Sequence, residues 1–156
     1  MKSDRDDTVL YFAYGSNMST ERLAKRLGPL TRGRVAELKG YRIAFNKRGD
    51  RGGKTNIVPG APSDVVPGVV FALTRIQFER LSGYEVGYTK KQVPVEIAGH
   101  GAEPWTFIAE HTEDGLKPTR AYRQHLIDGA REYGLVDHAL SLEAIEVEDD
   151  ATAARD

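Results

Sequence analysis

Apolar residues fall in short, strand-length runs over the first two-thirds of the chain and at helical spacing over the last third. The first run, Thr8–Tyr14, is apolar at both parities: Val9, Tyr11 and Ala13 on one face, Leu10, Phe12 and Tyr14 on the other. That pattern predicts a central strand buried on both sides. It stops at Gly15-Ser16-Asn17, three turn formers. A short helix follows, capped by Asn17 or Ser19, with Leu23, Ala24 and Leu27 facing inward and Gly28-Pro29 ending it. Val35 to Phe45 reads as a second strand region and Asn46 to Lys54 as a glycine-containing loop. Thr55–Val58 and Gly68–Leu73 read as neighbouring antiparallel strands.

Thr74-Arg75-Ile76-Gln77 has the reciprocal capping pattern of a helix start, with Ile76, Phe78 and Leu81 as its apolar contacts and Gly83 as its end. Gln92–Ile97 alternates, placing Val93, Val95 and Ile97 inward and Glu96 toward water, with Pro94 marking an edge or bulge. Trp105–Glu110 is a sixth strand candidate. Pro118 opens a long helix to about Tyr133, with Tyr122, Leu126, Ala130 and Tyr133 near one face, and Gly134 closes it. A last helical piece runs from Asp137 to about Ile145, ahead of an acidic tail expected to fray. No repeat or linker divides the chain. The class is therefore α+β with a largely antiparallel sheet, one domain over residues 8–146 between charged tails at 1–7 and 147–156.

A chain of 156 residues can bury roughly 70% of its unfolded surface, and 40% hydrophobic residues suffice for a core. The net charge of −1 provides no broad field for nucleic acid or an anionic membrane. The local basic residues Lys47, Arg48, Arg51 and Lys54 read as a solvated loop. The absence of cysteine removes disulfides, thiol catalysis and thiolate metal sites together. The charged N-terminus lacks an apolar signal region and no run approaches the ~18 apolar residues of a membrane span, so a cytoplasmic location is expected. His100, His111, His125 and His138 show no paired ligand spacing, and no metal site is expected. Gly53-Lys54-Thr55 lacks the upstream spacing of a phosphate loop.

The segment Tyr11-Phe12-Ala13-Tyr14-Gly15-Ser16-Asn17-Met18 holds the most chemistry. A buried strand running through a glycine turn into a helix start directs backbone N–H groups at one point, where a negative charge is favoured. Ser16 and Asn17 add side-chain donors. The same residues also make an ordinary strand-to-helix turn with no ligand.

This segment resembles the signature of the γ-glutamylcyclotransferase family. The resemblance continues in Pro67-Gly68-Val69-Val70-Phe71-Ala72-Leu73, in Leu81-Ser82-Gly83-Tyr84-Glu85, where the family carries its acidic residue, in Tyr122-Arg123-Gln124, and in Gly129 through Leu135. It spans the chain from Leu10 to about Ile145. It implies a small mixed, largely antiparallel β-barrel flanked by helices, with a cavity at the loop after the first strand.

The implied reaction is intramolecular: the α-amine of a γ-glutamyl group attacks its own γ-carbonyl, forming 5-oxoproline and releasing the acylated amine, without metal or organic cofactor. Ring closure already has favourable proximity, so the protein mainly holds the folded conformer. The attacking ammonium must lose a proton, and a carboxylate in water is too weak a base by roughly 6–8 kcal/mol. Burial narrows that gap from both ends, and the resemblance assigns Glu85 this acid–base role. It assigns substrate binding to Tyr11, Phe12, Ala13, Tyr14, Gly15, Ser16 and Asn17, and to Phe107 and Tyr122. Phe107 stands where close relatives place a tyrosine, and Val86 where many members have glycine. Asn17 differs from the hydrophobic residue that glutathione-specific members carry after Tyr-Gly-Ser. The expected partner is a small γ-glutamyl compound, with a homodimer left open. The alternative reading is a catalytically silent γ-glutamyl-metabolite binding protein on the same fold.

Overall fold

The structure, a computed structural model, describes residues 7–148, and the remaining parts of both expected tails lie outside the described residues. The elements run β1 (Thr8–Ala13), α1 (Thr20–Leu27), β2 (Arg34–Lys39), β3 (Tyr41–Arg48), β4 (Gly53–Pro59), β5 (Val65–Thr74), α2 (Arg75–Tyr84), β6 (Tyr88–Gln92), β7 (Val95–Ile97), β8 (His100–Ala102), β9 (Trp105–Ala109), α3 (Arg120–Glu132) and α4 (Val136–Glu143). A single 3₁₀ turn, Ser16–Met18, joins β1 to α1.

One curled sheet has the order β6-β9-β1-β5-β2-β7-β8, and β3 and β4 form a separate two-stranded hairpin. β1 lies inside the sheet, antiparallel to β5 from Thr8 opposite Thr74 to Ala13 opposite Val69, and parallel to β9. The expected α+β class and largely antiparallel sheet are present. Alternation along β1 feeds two cores. Val9, Tyr11 and Ala13 pack with Phe71, Leu81, Leu126 and other residues on the helix side. Phe12 and Tyr14 pack with Leu38, Ile57, Val70 and Val95 on the other side. Leu10 is 38% exposed, so burial on that second face begins only at Phe12.

Several expected boundaries and pairings differ. The Val35–Phe45 region is two strands, broken at Gly40, whose φ of +82° lets the chain turn. β4 pairs with β3 and not with β5, which lies between β1 and β2. The expected 46–54 loop is shorter than its glycines imply: Gly49 N–H donates to Gly52 O at 3.0 Å, closing a tight turn, and the locally connected strand captures β4. Ile76 is 70% exposed, leaving Phe78 and Leu81 as the buried contacts of α2, and the helix runs past Gly83 to Tyr84.

The sequence reading missed β6 and β8. β6 is mostly exposed and lacks apolar alternation, and β8 is the second arm of a hairpin turned at Ala98 and Gly99, both at positive φ. Glu148, in the expected C-terminal tail, bridges Thr119, and its N–H donates to Pro118 O at 2.9 Å. Among the described residues no helix is long and apolar enough to cross a membrane.

Candidate active site

The turn after β1 is fixed by its neighbours. Met18 N–H donates to Gly15 O and Ser19 N–H to Ser16 O, which leaves the N–H groups of Ser16 and Asn17 outside the turn's own bonding. Ser19, one of the two expected caps, accepts from Arg22 N–H at 3.3 Å. α3 presses on the turn from behind: a Cβ at Gly129 would lie 2.7 Å from Met18 Cβ and 2.8 Å from Ser19 N. Gly15 has an unexceptional φ of −117°, so its reason is space and not a left-handed conformation. A Cβ there would overlap Thr55 Oγ1 and come within 3.3 Å of Thr55 Cβ.

Glu85 is held at the far end of α2. The helix starts with a complete capping box, Gln77 N–H to Thr74 Oγ1 at 3.1 Å and Thr74 N–H to Gln77 Oε1 at 2.9 Å. It ends with Glu85 N–H donating to Leu81 O and Ser82 O. Gly87, at φ +84°, then turns the chain into β6. The start and stop of one helix thus fix where the carboxylate stands.

These two ends meet. Asn17 Nδ2 donates to Glu85 Oε1 at 3.1 Å and to the Tyr11 hydroxyl at 3.2 Å. They border a cavity of about 590 Å³, walled also by Tyr14, Gly15, Ser16, Thr55, Tyr88, Phe107 and Tyr122. The wall is cross-braced by phenols. Tyr122 hydroxyl accepts from Thr55 N–H at 3.2 Å and shares a 2.8 Å bond with Thr55 Oγ1. Tyr88 hydroxyl donates to Thr55 O at 2.7 Å, and Tyr14 hydroxyl donates to Phe107 O. Phe107 stacks on Phe78 at 5.8 Å and meets Tyr11 edge-on at 5.9 Å.

Burial pushes the Tyr11, Tyr14, Tyr88 and Tyr122 phenols up, and the nearby Glu85 carboxylate adds to this in each, so all four stay neutral. Burial likewise pushes Glu85 up. The positive charge of Arg26, the Asn17 hydrogen bond, Lys47 and Arg22 offset part of that rise. The result is a carboxylate of raised basicity that still has partners for its ionised form.

Of the residues expected to bind, Tyr11, Tyr14, Gly15, Ser16, Asn17, Phe107 and Tyr122 line this cavity together with Glu85. Phe12 and Ala13 do not. Phe12 points into the second core and Ala13 into the helix-side core, because successive strand side chains take opposite faces and both are fully covered. Val86 lines the rim and is 78% exposed.

Sequence reasoning missed Thr55, Tyr88, Arg22 and Arg26, and misread Lys47 and Lys54 as solvated. The spacing of Arg22 and Arg26, one helical turn apart directly after the signature, is the signal that marks their shared face. Nothing local distinguishes Lys54, whose place depends on hairpin docking. Arg51 is exposed as expected. Among the described residues no three His, Asp or Glu side chains gather as metal ligands.

The profile of the family described as gamma-glutamyl cyclotransferase, AIG2-like, matches residues 11–125. A gamma-glutamylcyclotransferase of Bos taurus is 27% identical over 162 residues, covering 96% of this chain and 85% of that protein. One of Mus musculus is 30% identical over 152 residues, covering 90% and 80%. A solved structure named gamma-glutamyl cyclotransferase superposes with a TM-score of 0.82 at 29% identity, over 91% of this chain and 90% of that one. The family match over residues 11–125, the sequence identity and the shared fold together show that the chain belongs to the gamma-glutamyl cyclotransferase, AIG2-like family.

Proposed function

We propose that this protein is a cyclotransferase that converts a γ-glutamyl amino acid or amide into 5-oxoproline and the free amine, with Glu85 as general acid and base. The observation that carries this reading is the Asn17–Glu85 hydrogen bond inside one cavity, joining the signature turn to the downstream acid. The family membership and the names of its relatives support the cyclotransferase activity.

In this reading the γ-glutamyl chain folds back on itself above the Tyr11–Asn17 segment. Glu85 takes a proton from the α-ammonium, its basicity raised by burial. The freed amine attacks the γ-carbonyl, and the N–H groups of Ser16 and Asn17 face the oxygen that gains charge, in an oxyanion-hole role worth roughly 3–4 kcal/mol per donor in other enzymes. Glu85 then returns the proton to the departing nitrogen as the amide C–N bond breaks, and the second proton that the attacking nitrogen sheds on becoming the lactam N–H passes to the released amine. The nucleophile and the protons come from the substrate and Glu85 relays them, so the chemistry uses no cofactor. Neutral tyrosines are suited to shape and close the pocket, since they donate hydrogen bonds without competing for the proton. Measuring 5-oxoproline released from a γ-glutamyl dipeptide by the pure protein tests the reading, and absence of product across a varied panel overturns it.

A further inference from the structure

The cavity carries more positive charge than a γ-glutamyl group can balance. Four cations face it: Arg22 and Arg26 from α1, Lys47 from β3 and Lys54 from β4. Arg48 also borders it, but its guanidinium is paired with Glu113. Among the described residues, only Glu85 and Asp50 oppose these charges from the same wall. Among the described residues none of the four forms an ion pair. Three rest instead on aromatic faces: Arg26 on Tyr84 at 5.0 Å, Lys47 on Tyr88 at 5.5 Å and Lys54 on Tyr122 at 4.1 Å from the ring centre. A ring face orients a cation but has no net charge with which to neutralise it. Arg22 Nε is buried without a partner. Burial, followed by the charge of the neighbouring cations, holds Lys54 below its usual range.

Four cations against two carboxylates leave two positive charges uncompensated. The reacting γ-glutamyl group brings one α-carboxylate and one α-ammonium, which cancel. Moving protons through Glu85 to the departing nitrogen changes no total: one amide C–N bond breaks, one lactam C–N bond forms, and the two protons that the ammonium loses on becoming the lactam N–H end on the leaving amine. Both missing negative charges therefore belong to the leaving portion. Resting on the cyclotransferase reading above, we infer that the preferred substrate is a γ-glutamyl dipeptide whose released amino acid is dicarboxylic, with its two carboxylates held by the Arg22, Arg26, Lys47 and Lys54 cluster. A neutral amine leaves the cluster unbalanced, and a cationic one adds repulsion.

The test compares γ-glutamyl-glutamate with its isostere γ-glutamyl-glutamine and with γ-glutamyl-ethylamide, reading kcat/KM from 5-oxoproline. The glutamate compound is expected to exceed the glutamine one by about tenfold or more, the scale of one charge-assisted hydrogen bond. The ratio is expected to fall in high salt and to drop at least about threefold in Lys54→Met. Lys47→Met reads the same ratio should the first variant fold poorly. Equal rates for the isosteres, or a faster ethylamide, overturn the inference and leave the cyclotransferase reading standing. A preference that survives both substitutions overturns its assignment to this cluster. No 5-oxoproline from any compound overturns the reading itself, and the inference with it.

Discussion

Asn17 and Glu85, 68 positions apart in sequence, are joined by a 3.1 Å hydrogen bond in which the amide donates to the carboxylate. The same amide nitrogen also reaches the Tyr11 hydroxyl at 3.2 Å. One side chain thus ties the first strand, the signature turn and the end of α2 to a common point. Asn17 is 5% exposed, so solvent does not compete for these bonds.

Replacing Glu85 by Gln keeps the size of the side chain and removes its basic oxygen. The variant is expected to fold, to bind a γ-glutamyl compound and to lose at least roughly 10²-fold in kcat. Glu96 is the control, because it is exposed on β7 and pairs with Lys39 at 3.2 Å. Glu96→Gln is expected to leave activity near normal and stability within about 0.5 kcal/mol. Full activity in Glu85→Gln, measured in the same assay, shows that another group moves the proton.

Because burial raises Glu85 above the ordinary 4.5, the acid limb of kcat/KM is expected above that value. Stability moves in the matching direction. A carboxyl whose folded pKa is raised favours the folded state most when protonated, and that contribution is lost as pH rises through the folded pKa. Glu85→Gln mimics the protonated form, so its Tm is expected to equal or exceed wild type at neutral pH. The gap should close on acidification. A Tm gap that instead widens toward acid pH contradicts the raised pKa.

Asn17→Asp exchanges a donor for a second carboxylate beside Glu85. Two like charges at that spacing oppose joint ionisation, so the acid limb is expected to move to higher pH. Near-neutral activity should fall and recover partly at alkaline pH. A profile that keeps its shape while the whole curve drops points to a purely structural Asn17.

Gly15→Ala places a methyl group against Thr55 and the Tyr122 hydroxyl. The expected cost is about 1–3 kcal/mol of stability, with a raised KM, since Thr55 must move and its bond to Tyr122 is disturbed. Adding Thr55→Ala removes the overlapping oxygen and should recover part of the Tm. A single variant with wild-type Tm and KM removes Gly15 from the cradle.

Much of the site was legible because its parts are local. The first strand, the Ser19 cap, the Thr74–Gln77 capping box, Leu23 and Leu27 of α1 and the inward face of α3 follow from near-neighbour chemistry, while Leu10 and Ala24 are less covered than their positions imply. The 3.6-residue period places Tyr122 beside Leu126 and Ala130 without any knowledge of the sheet. The misreadings were non-local. Thr55–Val58 has the composition of a sheet strand, yet its partner is the strand across a tight turn. Phe12 belongs to the signature but serves the second core.

The sequence by itself determined the class, the four helices, the strands with apolar patterning and the two segments that carry chemistry, because turns, caps and periodicity are written over a few neighbouring residues. Tertiary structure alone decided three things. It brought Asn17 to Glu85, it turned Gly15 toward Thr55, and it carried Lys47 and Lys54 from an apparent surface loop to the cavity wall. The first depends on where the end of α2 meets the turn after β1, and the other two on how β3 and β4 dock on the main sheet. Such placements depend on packing between segments tens of residues apart, and no local pattern encodes the distance at which they meet.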